Sequence, residues 1–542
     1  MSGRLSRRGF LRVSAGAGAG AALGAAGWRT GGRLLEPGQP GLLLPSSIPL
    51  PEAFRVRLPV PGVLAPVRSD ATTDYYEIVQ READLDIVPG LRTRAWTYHG
   101  SFPGPTIHAG SGRRTVVRHR NELPHPVVVH LHGGHTPADS DGYPMDVILP
   151  QDSTTAATDP GGHGIPPSAG HGRPPIPDHA GHGGMSMAGN IAFGERDYIY
   201  PNVQRAATLW YHDHRHGFTG PAVWQGLAGF HLITDDEEAA LPLPTGDRDI
   251  PLMITDRSFA ADGSFAYPLA DPALRTPGVT EPYMNGVLGD VILVNGAPWP
   301  TLEVDPVRYR LRLLNASNAR RYRLTLDPPP PGGGGLVQIG SDGGLLERPA
   351  AHDTLDISPA ERFDLIVDFA RYRPGTRVRL RNTLGAGRTA EVMRFDITGS
   401  AVHDDSAIPD RLSHIDRLDP AAAVAMRTFH FQLRAHGWTI NGHPYQPGRA
   451  LARPTLGATE IWRFITDFHH PVHVHLDPFQ VLTRNNRAPG RYDLGWKDTV
   501  DVRPTEAVEV AVRFTDYPGS FMLHCHNLEH EDMAMMADFV TG

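Results

Sequence analysis

Short stretches in which apolar and polar residues alternate recur through most of the chain. Examples are TRAWTYHG, RTVVRHR, YRLRLLNAS, FDLIVDF and VEVAVRF. Such alternation is typical of strands that bury one face, and turn residues separate the stretches. Nowhere does the spacing of apolar residues indicate a long amphipathic helix. The pattern therefore predicts an all-β protein made of β-sandwiches with antiparallel strands.

The strand-like stretches fall into three groups of similar size. A chain of 542 residues is too long for one domain. The groups predict three β-sandwich domains, at residues 71–240, 248–399 and 426–542. Residues 31–70 are rich in Pro and Gly, and residues 400–425 are mostly polar, so we predict a linker in each.

The composition narrows the classes of function. The formal net charge of -8 is mild, and no basic block points to a nucleic acid partner. A hydrophobic content of 40% is enough for sizeable cores. The unusual feature is the 28 histidines, because many of them lie in tight clusters.

The N-terminal sequence indicates export. Residues 6–11, SRRGFL, resemble a twin-arginine signal, and an Ala- and Gly-rich run follows at 13–27. We predict a signal peptide at residues 1–30, no transmembrane span after its removal, and a periplasmic, cell-wall-associated or secreted protein. Cys525 is the single cysteine, so its thiol has no partner for an intramolecular disulfide. It must be free, reactive or bound to a metal.

Residues 159–190 form a low-complexity segment of Gly, Pro, His and Met. The segment contains four histidines and two methionines, namely His163, His171, His179, His182, Met185 and Met187. One interpretation is a surface insertion whose histidines have no function. The other is a loop that gathers copper through imidazole and thioether groups.

Four His-X-His pairs carry the chemistry that the sequence predicts. Residues i and i+2 of a strand point to the same face, so each pair can present two imidazoles to one place. Eight imidazoles are too many for one zinc ion, which takes four ligands. They predict a cluster of several metal ions. The pairs are His130 and His132, His212 and His214, His473 and His475, and His524 and His526.

Cys525 lies between two of these histidines and points to the opposite face of its strand. It must therefore serve a different metal. His530 follows just after the strand, and His470 precedes the third pair. Two histidines, one thiolate and a weak axial methionine form the ligand set of blue-copper electron-transfer sites. Methionines at 533, 535 and 536 offer the axial thioether.

With these motifs the chain resembles the multicopper oxidases, in the branch of the bacterial spore-coat laccase, bilirubin oxidase and phenoxazinone synthase. The resemblance covers residues 75–542 and rests on HLHGGHTPADSDGYP, WYHDH, HPVHVH and HCHNLEHEDMAM, in that order. It implies three cupredoxin-like Greek-key β-sandwich domains. It also implies that the first and third domains share one metal site while the second is a spacer.

The resemblance further implies four copper ions per chain and a role for each ligand. The type 1 copper ligands would be His470, Cys525, His530 and Met535, and the type 2 ligands would be His130 and His473. The ligands of the type 3 pair would be His132, His212, His214, His475, His524 and His526. Asp141 and Glu531 match the acidic residues that relay protons, although SDGYP around Asp141 is also a turn sequence.

The activity so implied is that of an exported laccase-like oxidase. Such an enzyme removes single electrons from a phenol, an aromatic amine or a pyrrole, and reduces dioxygen to water. The alternative is a metallo-oxidase that acts on Cu(I) or Mn(II), for which the two methionines of the insertion are thin support. A non-catalytic relative is disfavoured because such relatives lose copper ligands, and this chain has lost none.

Overall fold

The computed structural model describes residues 38–153, 189–399 and 402–542. The predicted signal peptide, and nearly all of the His-rich segment at 159–190, lie outside the described residues. Strands dominate the described chain, as the alternating pattern predicted. No helix among these residues is long and apolar enough to cross a membrane.

The first group of strands forms two large sheets. One has the strand order β10-β6-β3-β2, with β4 also pairing with β3, and the other has the order β5-β12-β11-β7. The strands are β1 (Leu42–Leu44), β2 (Arg68–Ser69), β3 (Thr73–Leu85), β4 (Thr93–Tyr98), β5 (Gly104–Gly110), β6 (Arg114–Asn121), β7 (Val129–His132), β8 (Ile148–Leu149), β9 (Ala192–Phe193), β10 (Glu195–Tyr200), β11 (Ala207–Asp213) and β12 (Ala228–Thr234).

The second group also forms two large sheets, of orders β16-β15-β13-β18-β23-β20-β21 and β17-β25-β24-β19-β22. Its strands are β13 (Asp249–Arg257), β14 (Val287–Gly289), β15 (Val291–Val294), β16 (Ala297–Pro298), β17 (Thr301–Val304), β18 (Arg308–Asn315), β19 (Tyr322–Asp327), β20 (Leu336–Ser341), β21 (Gly344–His352), β22 (Leu355–Ile357), β23 (Arg362–Asp368), β24 (Arg377–Asn382) and β25 (Glu391–Ile397).

The third group repeats this arrangement, with orders β27-β26-β29-β33-β31 and β28-β35-β34-β30-β32. Its strands are β26 (Ala425–Arg434), β27 (Gly437–Ile440), β28 (Ala450–Ala452), β29 (Thr459–Thr466), β30 (His470–Val474), β31 (Phe479–Arg484), β32 (Thr499–Val502), β33 (Ala507–Arg513), β34 (Gly519–Cys525) and β35 (Met536–Thr541).

The sheets are mixed, whereas the sequence predicted antiparallel strands. An early strand of each sandwich lies parallel to a later one, in the pairs β3 with β6, β13 with β18, and β26 with β29. A second parallel pair lies at one edge of the other sheet of each sandwich, with β5 beside β12, β17 beside β25, and β28 beside β35. Parallel neighbours need a crossover connection, which local alternation cannot reveal. The recurrence of both pairs shows that the chain contains three copies of one cupredoxin-like sandwich.

Among the described residues, three short α-helices lie in the connections, namely α1 (Thr219–Gln225), α2 (Asp236–Ala239) and α3 (Leu528–Asp532). The backbone amides of Thr219 and Gly220 donate to the Asp532 carboxylate, at 2.8 Å and 2.9 Å. These bonds satisfy amides at the start of α1, which have no partner within the helix. They also hold α1 of the first sandwich against α3 of the third.

The described parts of the two predicted linkers pack on the sandwiches. In the first, β1 pairs with β14, and Val63 forms a bridge with Thr106. In the second, the Ala407 amide donates to the Pro242 carbonyl at 2.7 Å, and that of Leu412 donates to the Glu347 carbonyl at 2.9 Å. The exact domain boundaries stay predictions.

Candidate metal centre

Strand pairing brings the four His-X-His pairs together. On the first sandwich, His212 of β11 lies opposite His130 of β7. On the third, His473 of β30 lies opposite His524 of β34. The other members of the pairs lie on or directly beside the same strands. All eight side chains are buried, between the first and the third sandwich.

The eight imidazoles converge at distances that suit shared metal ions. The Nε2 atom of His524 lies 3.3 Å from that of His214 and 3.2 Å from that of His475. The rings of His130 and His475 stack at 3.9 Å between centroids, and those of His132 and His473 at 3.7 Å. Several combinations of three donors lie within 4.8 Å of one another.

The backbone fixes which nitrogen of several rings faces the centre. Each Nδ1 of His130, His212 and His473 donates to a main-chain carbonyl, those of Asp141, Asp213 and Asp498. A proton on Nδ1 leaves a lone pair on Nε2, and all three Nε2 atoms are buried without a hydrogen-bond partner. Buried polar atoms without a partner are costly, and a metal ion would satisfy them. This donor set therefore fits a metal cluster.

Burial also favours the neutral form of several of these histidines, which is the form that binds metals. It lowers the pKa of His212 to about 3 and that of His214 to about 4, from a usual 6.5. Burial likewise lowers the pKa of His473 and His475.

The two carboxylates predicted to relay protons lie against the cluster. His475 Nδ1 donates to Asp141 Oδ2 at 2.7 Å, and Glu531 Oε2 lies 3.1 Å from His524 Nδ1, which is itself 3.2 Å from the Cys525 carbonyl. Glu531 Oε1 also lies 3.5 Å from His214 Nδ1. Burial raises the pKa of Asp141 well above its usual value. Burial acts in the same direction on Glu531, but the imidazoles of His524 and His214 outweigh it and lower the pKa of that carboxyl.

A second donor set surrounds Cys525 on the opposite face of β34. Its Sγ atom lies 3.3 Å from His470 Nδ1 and 3.7 Å from His530 Nδ1, and these nitrogens are 3.1 Å apart. All three side chains are fully buried. Burial raises the pKa of the free thiol well above its usual value. A metal at this place would hold the sulfur as thiolate.

The predicted axial methionine, Met535, is tied to this second set. Its carbonyl accepts from the Cys525 amide at 3.1 Å, and its amide donates to the His530 carbonyl at 3.0 Å. Its side chain lies in the same core as Cys525, whereas Met536 packs with Tyr445 and Met522. The structure thus favours Met535 over Met536, and the axial role itself stays a prediction.

Sequence reasoning missed Trp438. Its ring stacks on His530 at 3.7 Å between centroids, and its Nε1 donates to the Met284 carbonyl at 3.2 Å. The sequence offers no signal for this contact, because a tryptophan in a short strand is ordinarily a core residue.

Sequence reasoning also missed Asp498 and its contact with the middle sandwich, which was expected to be a spacer. Asp498 Oδ1 lies 3.1 Å from His132 Nε2. Arg362, the first residue of β23 in the middle sandwich, donates through Nη1 to the same oxygen at 2.7 Å. The only available signal was the polar pair in WKDTV, which resembles any strand edge.

A cavity of about 440 Å³ reaches the cluster from the surface. It is lined at its inner end by His130, His475 and Asp498, and at its outer end by the exposed residues Val203 and Arg513. Small molecules such as dioxygen and water fit this space.

Comparison with known proteins gives consistent matches. Two sequence models described as multicopper oxidase match residues 417–542 and 81–160. A laccase of Bacillus stratosphericus is 36% identical, over 90% of this chain and 98% of the relative. Bilirubin oxidase of Albifimbria verrucaria is 34% identical, over 90% and 81%. The crystal structure of a laccase from Pediococcus acidilactici superposes with a TM-score of 0.75 at 30% identity, covering 92% of this chain and 95% of that one.

Proposed function

The chain belongs to the multicopper oxidase family and is a copper oxidoreductase with dioxygen as acceptor, and on that premise we propose that it is a laccase-like oxidase of phenols and related aromatic reductants. Each substrate molecule gives up one electron. Dioxygen takes four electrons and four protons and becomes two waters.

The observation that carries the proposal is that one tripeptide joins the two donor sets. The imidazoles of His524 and His526 belong to the histidine cluster, and Cys525 between them belongs to the second set. An electron accepted beside Cys525 therefore has a short covalent path to the cluster.

The proposed ligands are those the sequence predicted, with one copper held by the second set and three by the histidine cluster. Copper bound in this way supplies one-electron redox chemistry between the reductant and dioxygen. Asp141 and Glu531 would relay protons next to that cluster, because the first accepts from His475 and the second lies beside His524. The cavity beside His130 admits dioxygen and releases water.

The surface over the second set favours an aromatic reductant. Phe468 is 42% exposed, and its ring meets that of Trp438 edge to face at 5.8 Å. Trp438 stacks in turn on His530. Next to Phe468, the partly exposed Asp467 lies 3.2 Å from His470 Nε2 and can accept a hydrogen bond from a phenol or an amine. An aromatic ring and a carboxylate together suit a phenolic substrate.

Oxygen uptake by the copper-loaded protein tests the proposal. One cell receives 2,6-dimethoxyphenol, a second receives Cu(I), and Cys525→Ser is the blank in both. We expect fast uptake with the phenol and none with the variant. Uptake with Cu(I) alone would make the protein a metallo-oxidase. Equal uptake by Cys525→Ser would refute the electron path.

Export by the twin-arginine route is part of the proposal. Residues 1–30 fused to a reporter should carry it out of the cytoplasm, and replacing Arg7 and Arg8 by lysines should retain it inside.

A further inference from the structure

A buried arginine of the middle sandwich touches all three sandwiches next to the histidine cluster. Arg362 is fully buried. Its Nε donates to the Thr208 carbonyl of β11 at 3.0 Å, and its two Nη atoms both donate to the carboxylate of Asp498, which precedes β32. Two parallel bonds from a guanidinium fix both the position and the plane of a carboxylate.

The carboxylate held by Arg362 in turn holds two histidines of the cluster. Asp498 Oδ1 lies 3.1 Å from His132 Nε2, and the Asp498 carbonyl accepts from His473 Nδ1 at 2.9 Å. The Thr499 hydroxyl donates to Oδ1 at 2.9 Å. Because His132 Nε2 faces this carboxylate, Nδ1 is left as its metal-binding nitrogen, and that atom has no hydrogen-bond partner.

The middle sandwich fixes Arg362 itself. The Arg362 amide donates to Asp342 Oδ1 at 2.7 Å, and Asp342 Oδ2 lies 3.0 Å from Lys497 Nζ. Lys497, which belongs to the third sandwich, also lies 3.1 Å from Glu361 Oε1. All of these side chains are buried.

The HLHGG motif leaves room for the ion pair. Gly133 has a φ of +85°, and a Cβ there would lie 2.5 Å from Arg362 Nη2 and 2.9 Å from Asp498 Oδ2. The glycine directly after His132 is therefore needed for the close approach of Arg362.

Stability alone does not explain this network, because well-packed apolar residues commonly stabilise a buried site as well as an ion pair does. Its placement against two imidazoles gives it another use. Resting on the proposed function, we propose that Arg362 is a positioning residue. Through Asp498 it sets the orientation of His132 and His473, and thereby the affinity of the histidine cluster for copper.

The test compares Arg362→Met with Arg320→Met. Arg320 is an equally buried arginine, and its ion pair with Asp256, at 2.7 Å, lies within the middle sandwich. The copper-loaded full chain is titrated with a copper chelator. The blue absorption reports the type 1 copper, electron paramagnetic resonance reports the type 2 copper, and elemental analysis reports total copper.

We expect Arg362→Met to lose type 2 and type 3 copper at about 10-fold lower chelator concentration, the low end of the effect of removing a direct partner of a metal ligand, because Arg362 acts through Asp498. The blue absorption should persist, and Arg320→Met should titrate as wild type. Arg362→Lys should fall in between, because an ammonium group cannot form both bonds to the carboxylate. Asp498→Asn, which keeps the side-chain shape, should reproduce the loss if Arg362→Met does not fold.

Three results would overturn the inference: wild-type copper retention in Arg362→Met and Asp498→Asn, equal loss of type 1 copper in both, or equal loss in Arg320→Met. A wild-type protein that binds no copper would overturn the proposed function, and this inference with it.

Discussion

Replacing Glu531 by glutamine should slow dioxygen reduction without slowing the oxidation of substrate. Glu531 lies between two of the three imidazoles whose Nε2 atoms converge, with its carboxylate 3.1 Å from His524 Nδ1 and 3.5 Å from His214 Nδ1. A glutamine has the same shape, but it cannot take up and release a proton. The substitution would also remove the negative charge that faces the Nδ1 atoms of His524 and His214.

The magnitude follows from these two losses. A hydrogen bond to a charged group contributes about 1.5–3 kcal/mol, which corresponds to roughly 10- to 150-fold in rate if it is needed only in the slow step. A positioned proton donor or acceptor contributes about 100- to 10,000-fold. The two effects overlap in one side chain, so we expect a fall in kcat of at least about 100-fold.

The assay separates the two halves of the reaction. Oxygen uptake gives kcat, and anaerobic stopped-flow bleaching of the blue absorption by the phenol gives the rate of substrate oxidation. Glu529→Gln is the matched control, because Glu529 lies on the same helix and is equally buried. It accepts from Tyr267 at 2.7 Å, from Asn318 at 2.9 Å and from the Val287 amide at 3.0 Å.

The control should keep both rates near those of the wild type. The reasoning fails if Glu531→Gln keeps kcat within a factor of about two, or if its bleaching slows as much as its turnover.

Three further predictions concern other buried groups. Met535→Leu should raise the potential of the type 1 copper in a redox titration, because it removes a coordinating thioether; a lowered or unchanged potential would count against the axial assignment. Trp438→Ala should lower the free energy of unfolding by about 3–5 kcal/mol in denaturant melts and should shift the blue absorption. Trp438→Phe should cause a smaller loss of stability and a smaller spectral shift. An unaltered spectrum would mean that stacking on His530 does not shape the centre. His119, buried among tyrosines, has its pKa lowered by burial to about 3, so it stays neutral in the folded chain while it ionises near 6.5 in the unfolded one. The stabilisation that depends on neutral His119 should therefore be full above pH 6.5 and fall by about 1.4 kcal/mol per unit as the pH drops towards 3. Other buried histidines such as His231 add to the total slope, so His119→Phe should make the pH profile of stability less steep in that window without flattening it. An unchanged slope would refute the assignment.

The local sequence pattern was enough to find the histidines, but not the residues that orient them through hydrogen bonds. The period-two rule places His130 and His132 on one face of a strand, and it turns Cys525 away from His524 and His526. Nothing local links Asp498 to Arg362, which is 136 residues away along the chain. That contact depends on how the sandwiches pack.

The expectation of purely antiparallel strands failed for a related reason. Alternation identified strands such as β6 and β29, but not which strand each would join. Parallel neighbours such as β3 and β6 require a crossover connection. A crossover is visible only in the tertiary contacts and not in the local sequence pattern. Asp141 was identified only through family resemblance, because its local sequence, SDGYP, equally fits an ordinary turn.

Three aspartates explain how a strand framework orients imidazoles so closely. Each uses its backbone carbonyl for a histidine near it on the chain and its carboxylate for a partner far from it. Asp141 accepts from His130 and His475 in this way, Asp213 from His212 and the amide of Val128, and Asp498 from His473 and His132.

The carbonyl bond sets which nitrogen faces the centre, and the carboxylate bond sets where the neighbouring element lies relative to that ring. The Asp141 carboxylate, on the first sandwich, bonds to His475 of the third. The Asp498 carboxylate, on the third sandwich, bonds to His132 of the first. Ring orientation and sandwich packing are therefore fixed by the same residues, so neither can shift without the other. A change at Asp141 or Asp498 should disturb both, and the middle sandwich takes part because Arg362 holds Asp498.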